Sequence, residues 1–88
     1  MNISRTGQFK RDYKKMIKRG KNIGKLNKLI TELSSGTILD SKYKDHILLG
    51  NYKFRRECHV EPDWLLIYKI ENDEIILERT GSHSDLFE

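Results

Sequence analysis

Arg55-Arg56-Glu57-Cys58-His59-Val60-Glu61-Pro62-Asp63-Trp64-Leu65-Leu66-Ile67-Tyr68-Lys69 lies past the midpoint of an 88-residue chain, and its second half sets the architecture. Across residues 64–70, six of seven side chains are apolar or aromatic. That run is too continuous for a strand wetted on one face and predicts a strand in the middle of a sheet. Pro62 precedes it, where a proline can begin a strand without removing a ladder donor. Glu57, His59, Glu61 and Asp63 crowd titratable groups around that turn, at the lip of the buried strand, as a catalytic cleft requires.

Upstream, alternation over residues 52–60 puts Tyr52, Phe54, Arg56, Cys58 and Val60 on one strand face and Lys53, Arg55, Glu57 and His59 on the other. Cys58 and His59 therefore point apart, so Cys58 is read as packing and not as a thiol partner for an imidazole. Downstream, Glu71-Asn72-Asp73 reads as a hairpin turn and residues 74–80 as a further strand that Gly81 breaks. The tail from Ser82, with Phe87 near its end, is expected to fold back on the sheet. Residues 37–51 read as an irregular loop around Tyr43 and His46, long enough in a small domain to suggest function.

Toward the N-terminus, residues 2–5 read as an edge strand. Thr6 can cap a helix with a stripe of Phe9, Tyr13, Met16 and Ile17, and Gly20 supplies its left-handed end. Asn22 can cap a second helix with Ile23, Leu26, Leu29, Ile30 and Leu33 on one side, ended by Ser34-Ser35-Gly36. The expected fold is one α+β domain over residues 1–88, an N-terminal strand and a helical hairpin packed on an antiparallel sheet.

Composition narrows the function. With 36% hydrophobic and 34% charged residues and one proline, the chain reads as neither disordered nor membrane-spanning. Its first residues lack the apolar run of a signal peptide, so a cytoplasmic location is expected, in keeping with the single cysteine. The net charge of +4 hides an asymmetry: residues 1–30 carry ten basic residues against Asp12, or +9, and the remainder sums to −5. A solvated lysine face is the ordinary meaning of a basic helix. So large a local excess favours a polyanion, with Lys14, Lys15, Lys18 and Arg19 as candidate contacts to RNA or a ribosome.

Three histidines remain, His46 on the loop, His59 on a strand and His83 after the last strand, and antiparallel neighbours can gather them at one sheet edge. Their spacing is not that of a zinc site, no serine sits in a nucleophile elbow, and no glycine loop is built for phosphate. No metal and no cofactor are therefore expected. Imidazoles titrate near neutrality and can give and take protons unaided. With a basic surface and with Trp64 and Phe87 available for stacking, RNA is the natural substrate, because its 2′-OH supplies the nucleophile. His46, His59, Asp63 and His83 are the candidate acid–base groups, their roles interchangeable. Arg55 or Arg79 is the candidate to offset charge on the phosphate.

Tyr43-Lys44-Asp45-His46, Leu49-Gly50-Asn51-Tyr52, the His59-to-Lys69 run with its His-Val-Glu-Pro-Asp-Trp element, and Glu78-Arg79-Thr80-Gly81-Ser82-His83 with Phe87 together resemble the YafQ branch of the RelE/ParE toxin superfamily. The resemblance covers nearly the whole chain. It implies a RelE-like fold, metal-independent cleavage of messenger RNA in the ribosomal A site, a cognate antitoxin, and contact with operator DNA only through the antitoxin complex. It assigns catalysis or substrate positioning to His46, His59, Asp63, Trp64, His83 and Phe87, all present. The chain departs from the pattern at Glu57-Cys58, which replaces Asp-Ala. Two other readings stay open: a ribosome-independent ribonuclease, and a non-catalytic binding domain such as the gyrase-poisoning ParE relatives of the same fold.

Overall fold

The computed structural model describes residues 1–48, 50 and 54–87. Its elements are β1 (Asn2–Arg5), α1 (Gly7–Lys18), α2 (Ile23–Ser34), a single 3₁₀ turn (Ser41–Tyr43), β2 (His46–Ile47), β3 (Arg56–Glu61), β4 (Trp64–Glu71), β5 (Glu74–Gly81) and α3 (His83–Phe87). The sheet order is β1-β5-β4-β3-β2. The apolar run is thus its middle strand, and Trp64, Leu65, Leu66, Ile67 and Tyr68 are buried on both faces.

Parity divides that strand's side chains between two cores. Trp64, Leu66 and Tyr68 join Cys58, Val60, Ile75 and Leu77 beneath Phe9, Met16, Leu26, Leu29, Ile30 and Leu33 of the helices. Leu65 and Ile67 face the opposite side, where Leu86 of α3 and Leu48 cover them. Each such side chain contributes about 1.5–3 kcal/mol by leaving water. The run is continuous because helices close one face and the C-terminal helix closes the other.

The helix starts are those the sequence predicts. The Phe9 N–H donates to Thr6 Oγ1 at 3.0 Å and the Gly24 N–H to Asn22 Oδ1 at 3.2 Å. Gly20, at φ 76°, follows the end of α1 in the left-handed region that glycine enters without a Cβ clash. Ile17, expected in the buried stripe, is 51% exposed. The face toward β5 is defined by Phe9, Asp12 and Met16, and Ile17 lies about 100° round from Met16.

Three further expectations change. The sheet is mixed, because β1 runs parallel to β5 with Asn2 opposite Glu74 and Arg5 opposite Leu77. No short turn joins these two strands, so no hairpin forces them antiparallel. The first long strand begins at Arg56: Phe54, at φ 70° and 77% exposed, has left the extended region. Tyr52 and Lys53, assigned to that strand, and Leu49 and Asn51 of the resembling motif lie outside the described residues. The tail, expected only to fold back, does so as a helix.

Two bulges shape the sheet's working end. Between β4 and β5 the register passes from Ile67–Arg79 to Tyr68–Leu77, with Glu78 as the extra residue. Between β3 and β4 it passes from His59–Leu65 to Glu61–Trp64, with Val60 extra, next to the Pro62-Asp63 turn. Such insertions bend a strand and re-aim its side chains. Among the described residues, no helix is long and apolar enough to cross a membrane.

Candidate active site

The sheet face opposite the helical hairpin carries the histidines. His46 stands across from Glu57 in the β2–β3 register, and His59 follows Glu57 by two residues on the same face. Glu57 keeps 6% of its side-chain exposure, and its Oε1 lies 3.2 Å from His59 Nε2 and 3.6 Å from His46 Nε2. A buried carboxylate requires such partners to offset lost hydration. His46 Nδ1 donates to the Lys44 carbonyl at 2.6 Å. A carbonyl only accepts, so Nδ1 carries a proton, and Nε2, turned toward Glu57, pairs with that carboxylate when it is protonated as well.

The loop bearing His46 is anchored through its neighbour. Asp45 Oδ1 accepts from Tyr68 Oη at 2.7 Å and from Arg56 Nε at 3.3 Å. Burial and the Asp45 acceptor push the Tyr68 hydroxyl above its ordinary pKa, which keeps it a donor. Burial likewise raises the Cys58 thiol on the helix side of β3, so that group is inert packing as its strand parity predicts.

His83 is held from three directions. Ser82 and Asp85 form a capping box, the Ser82 N–H donating to Asp85 Oδ2 at 2.9 Å and the Asp85 N–H to Ser82 Oγ at 3.2 Å. Arg19, at the end of α1, donates to both Asp85 oxygens at 2.6 and 2.9 Å, and Lys15 lies 3.7 Å away. The Arg19 hydrogen bonds hold the Asp85 carboxyl well below the usual carboxylate range. A Cβ at position 81 would sit 2.8 Å from Asp85 Oδ2, so a glycine is needed for this approach. From the β3–β4 turn, Asp63 Oδ1 accepts the His83 N–H at 3.0 Å and Nδ1 at 2.6 Å. These bonds, the backbone one foremost, lower the Asp63 pKa. An ionised Asp63 fixes the proton on Nδ1 and leaves Nε2 for proton transfer.

The result is a row. Ring centroids are 6.4 Å apart for His46 and His59, 6.0 Å for His59 and His83, and 6.2 Å for His83 and Phe87. Phe87 is 45% exposed and able to take a stacked base. Five of the candidates, His46, His59, Asp63, His83 and Phe87, are thereby brought together.

The other candidates stand elsewhere. Trp64 has no exposed surface, and its Nε1 donates to Thr80 Oγ1 at 3.0 Å. The expectation that it stacks on a base is corrected: its strand parity puts the ring in the helix-side core. Arg55 Nε donates to Glu78 at 2.8 Å, and Arg79 Nε to Asp12 Oδ2 at 2.7 Å. Asp12, nearly buried, also accepts the Thr80 N–H, so Arg79 helps join α1 to β5. Arg19 and Lys15 are tied to Asp85, while Lys14 and Lys18 are exposed on α1.

Two contributors were given no role in the sequence-derived site. Glu57 was placed at the cleft lip, and on the His59 face by strand alternation, without one. Asp85 could have been found from the Ser82-x-x-Asp85 capping pattern, which a reading of Gly81 only as a strand breaker passes over.

A helical hairpin on a five-stranded mixed sheet, with a histidine row on the other face, defines a RelE-like domain of the histidine-rich kind. The family model for YafQ, bacterial toxins of type II toxin–antitoxin systems, matches residues 1–88, and the chain belongs to that family. It is 46% identical over 86 residues to the mRNA interferase toxin YafQ of Escherichia coli K12, covering 97% of this chain and 94% of that protein. The crystal structure of YafQ from E. coli BL21(DE3) superposes with a TM-score of 0.95 at 44% identity, covering 99% of this chain and 98% of that one. YafQ in the E. coli DinJ–YafQ complex matches with a TM-score of 0.91 at 44% identity, covering 99% and 98%.

Proposed function

We propose that this toxin is an endoribonuclease that cleaves messenger RNA in the ribosomal A site without a metal, using its histidine row for acid–base chemistry. The observation that carries the reading is the pairing of His83 with Asp63 at one end of the row and of His59 and His46 with buried Glu57 at the other. Two proton-transfer sites a nucleotide's reach apart are what 2′-OH attack demands.

An imidazole at the Glu57 end takes the 2′-OH proton. The 2′ oxygen attacks the adjacent phosphorus, and the bond from phosphorus to the 5′ oxygen breaks. His83, protonated on both nitrogens, gives its Nε2 proton to the departing 5′ oxygen. Asp63 supports the imidazolium and orients it; its lowered pKa makes it a poor base and a good counter-charge. The products carry a 2′,3′-cyclic phosphate and a 5′-OH. Phe87 stacks on a flanking base. Lys14 and Lys18, with the other cations of α1, dock the protein on ribosomal RNA.

A cognate antitoxin completes the reading. The DinJ–YafQ assembly of the relative supports it, and a cell making such a nuclease requires an inhibitor. A messenger-cutting toxin acts in the cytoplasm. The deciding experiment incubates purified toxin with a defined message, with and without ribosomes, and analyses the cut ends. Ribosome-dependent cleavage with 5′-OH ends is expected. Cleavage of free message at the same rate, or 5′-phosphate ends, overturns the A-site mechanism.

A further inference from the structure

Beside His59, a cavity of about 430 Å³ opens between α2 and the turn that precedes β2. It lies within the ~300–1,000 Å³ range of small-ligand sites. Lys25 and Lys28 reach it from α2, Lys42 and Lys44 from the turn, and Tyr43, Val60 and Pro62 make its apolar lining. Its one acidic lining residue, Glu61, is already occupied by Lys25 at 3.0 Å and Lys21 at 3.8 Å, and the Lys25 hydrogen bond holds its carboxyl below the usual value. Four lysines against one glutamate leave the lining a net charge of +3 in a concave site, where low-dielectric walls strengthen the field.

We infer that this cleft is a subsite for the phosphate backbone of single-stranded RNA, holding the message next to the bond that is cut. Continuity with the histidine row is the argument for RNA: His59 lines the cavity and stands 6.0 Å, ring to ring, from His83. Lys44 belongs to both places, since it lines the cleft while its carbonyl fixes His46. His59 is thus common to the row and to the lysine-lined cleft. The inference rests on the ribonuclease reading above and adds the path of the substrate, which that reading leaves open.

The test uses the full chain and a short RNA with a 2′-deoxy sugar at the cleavage site, so that binding is read without cutting. Lys28→Ala, Lys42→Ala and Lys44→Gln are combined; all three side chains are exposed, and far-UV circular dichroism and thermal unfolding check the fold. Affinity is expected to fall at least tenfold at low salt. The slope of log K against log salt should flatten by about 0.7 for each phosphate that the variant no longer neutralises. On ribosomes the double variant Lys28→Ala with Lys42→Ala, which leaves the Lys44 support of His46 untouched, should need more message for half-maximal cleavage while its rate at saturation and its pH profile hold.

A second measurement keeps the wild-type protein. Neutral methylphosphonate links at the phosphates flanking the cut should weaken binding, and the effects of neutral links and of lysine substitution should not add. Full additivity, or an unchanged salt slope in the triple variant, overturns the inference. So does tighter binding of a poly-glutamate peptide than of the RNA, abolished in the same variant, which would make the cleft an acidic-peptide site. Failure of the ribonuclease reading shows separately, as wild-type protein that cuts no message although the deoxy-RNA titration still reports on the cleft.

Discussion

Asp85→Ala should release the C-terminal helix, and His83 with it, while leaving the rest of the domain folded. The substitution removes both Arg19 hydrogen bonds, at 2.6 and 2.9 Å, and the acceptor for the Ser82 N–H at 2.9 Å. The Arg19 side chain is 37% exposed, so solvent screening discounts that pair to about 1 kcal/mol. The missing capping bond adds about 1 kcal/mol. Opposing release are the burial of Leu86 against Leu65 and Ile67, about 2 kcal/mol, and the Asp63–His83 contact. A loss of about 2 kcal/mol lowers the docked-to-undocked ratio roughly 30-fold.

Hydrogen exchange reads this directly, because the Leu86 N–H is bonded to the Ser82 carbonyl. Protection over residues 82–87 should fall about 30-fold while the β4 amides hold, and message cleavage should drop with antitoxin binding preserved. The pH dependence follows from Asp85, whose folded-state pKa is depressed. Its contribution is fully present above the unfolded value near ~3.9 and is lost as pH falls through the folded value. The Asp85 share of the protection, read as the difference between wild type and Asp85→Ala after correction for intrinsic exchange, should therefore persist at neutral pH and be lost only in acid. Adding Asp85→Ala to an Arg19→Ala background should cost less than in the wild type. Unchanged protection in the Asp85→Ala chain refutes the tether.

His83→Ala and His59→Ala should each lower cleavage by about 10²-fold or more, the scale of a missing proton-transfer group, with folding intact; wild-type rates from both would end the acid–base reading. Trp64→Phe should lower stability by about 1–2 kcal/mol through loss of the Thr80 hydrogen bond while cleavage per folded molecule holds, as urea melts and single-turnover rates would show. A fall in rate at equal stability would return the indole to the substrate. Lys14→Ala combined with Lys18→Ala should weaken ribosome binding and flatten its salt dependence, because neither carries the Asp85 tether; unchanged affinity would make them a solvated face.

The elements and their faces were written locally. Caps at Thr6 and Asn22, the two helical stripes, the left-handed glycine at 20 and the seven-residue run of β4 are each set by neighbours within a few positions, the range over which periodicity and capping chemistry act. The histidines were visible as residue types, and alternation sent Cys58 and His59 to opposite faces. What tertiary structure alone decided was partnership at long range. Arg19 meets Asp85, 66 residues away, and Asp12 meets Arg79, 67 away. No local pattern records which distant charge will neutralise which, so cations read as available for RNA became ties of α1 to α3, through Arg19, and to β5, through Arg79. The parallel seat of β1 beside β5 has the same origin, since no turn joins them. The continuous run of β4 announces burial without saying which parity lies under the helices. Once Leu66 and Tyr68 are placed there, Trp64 must join them, and of the two rings expected to stack on a base Phe87 is the one left exposed.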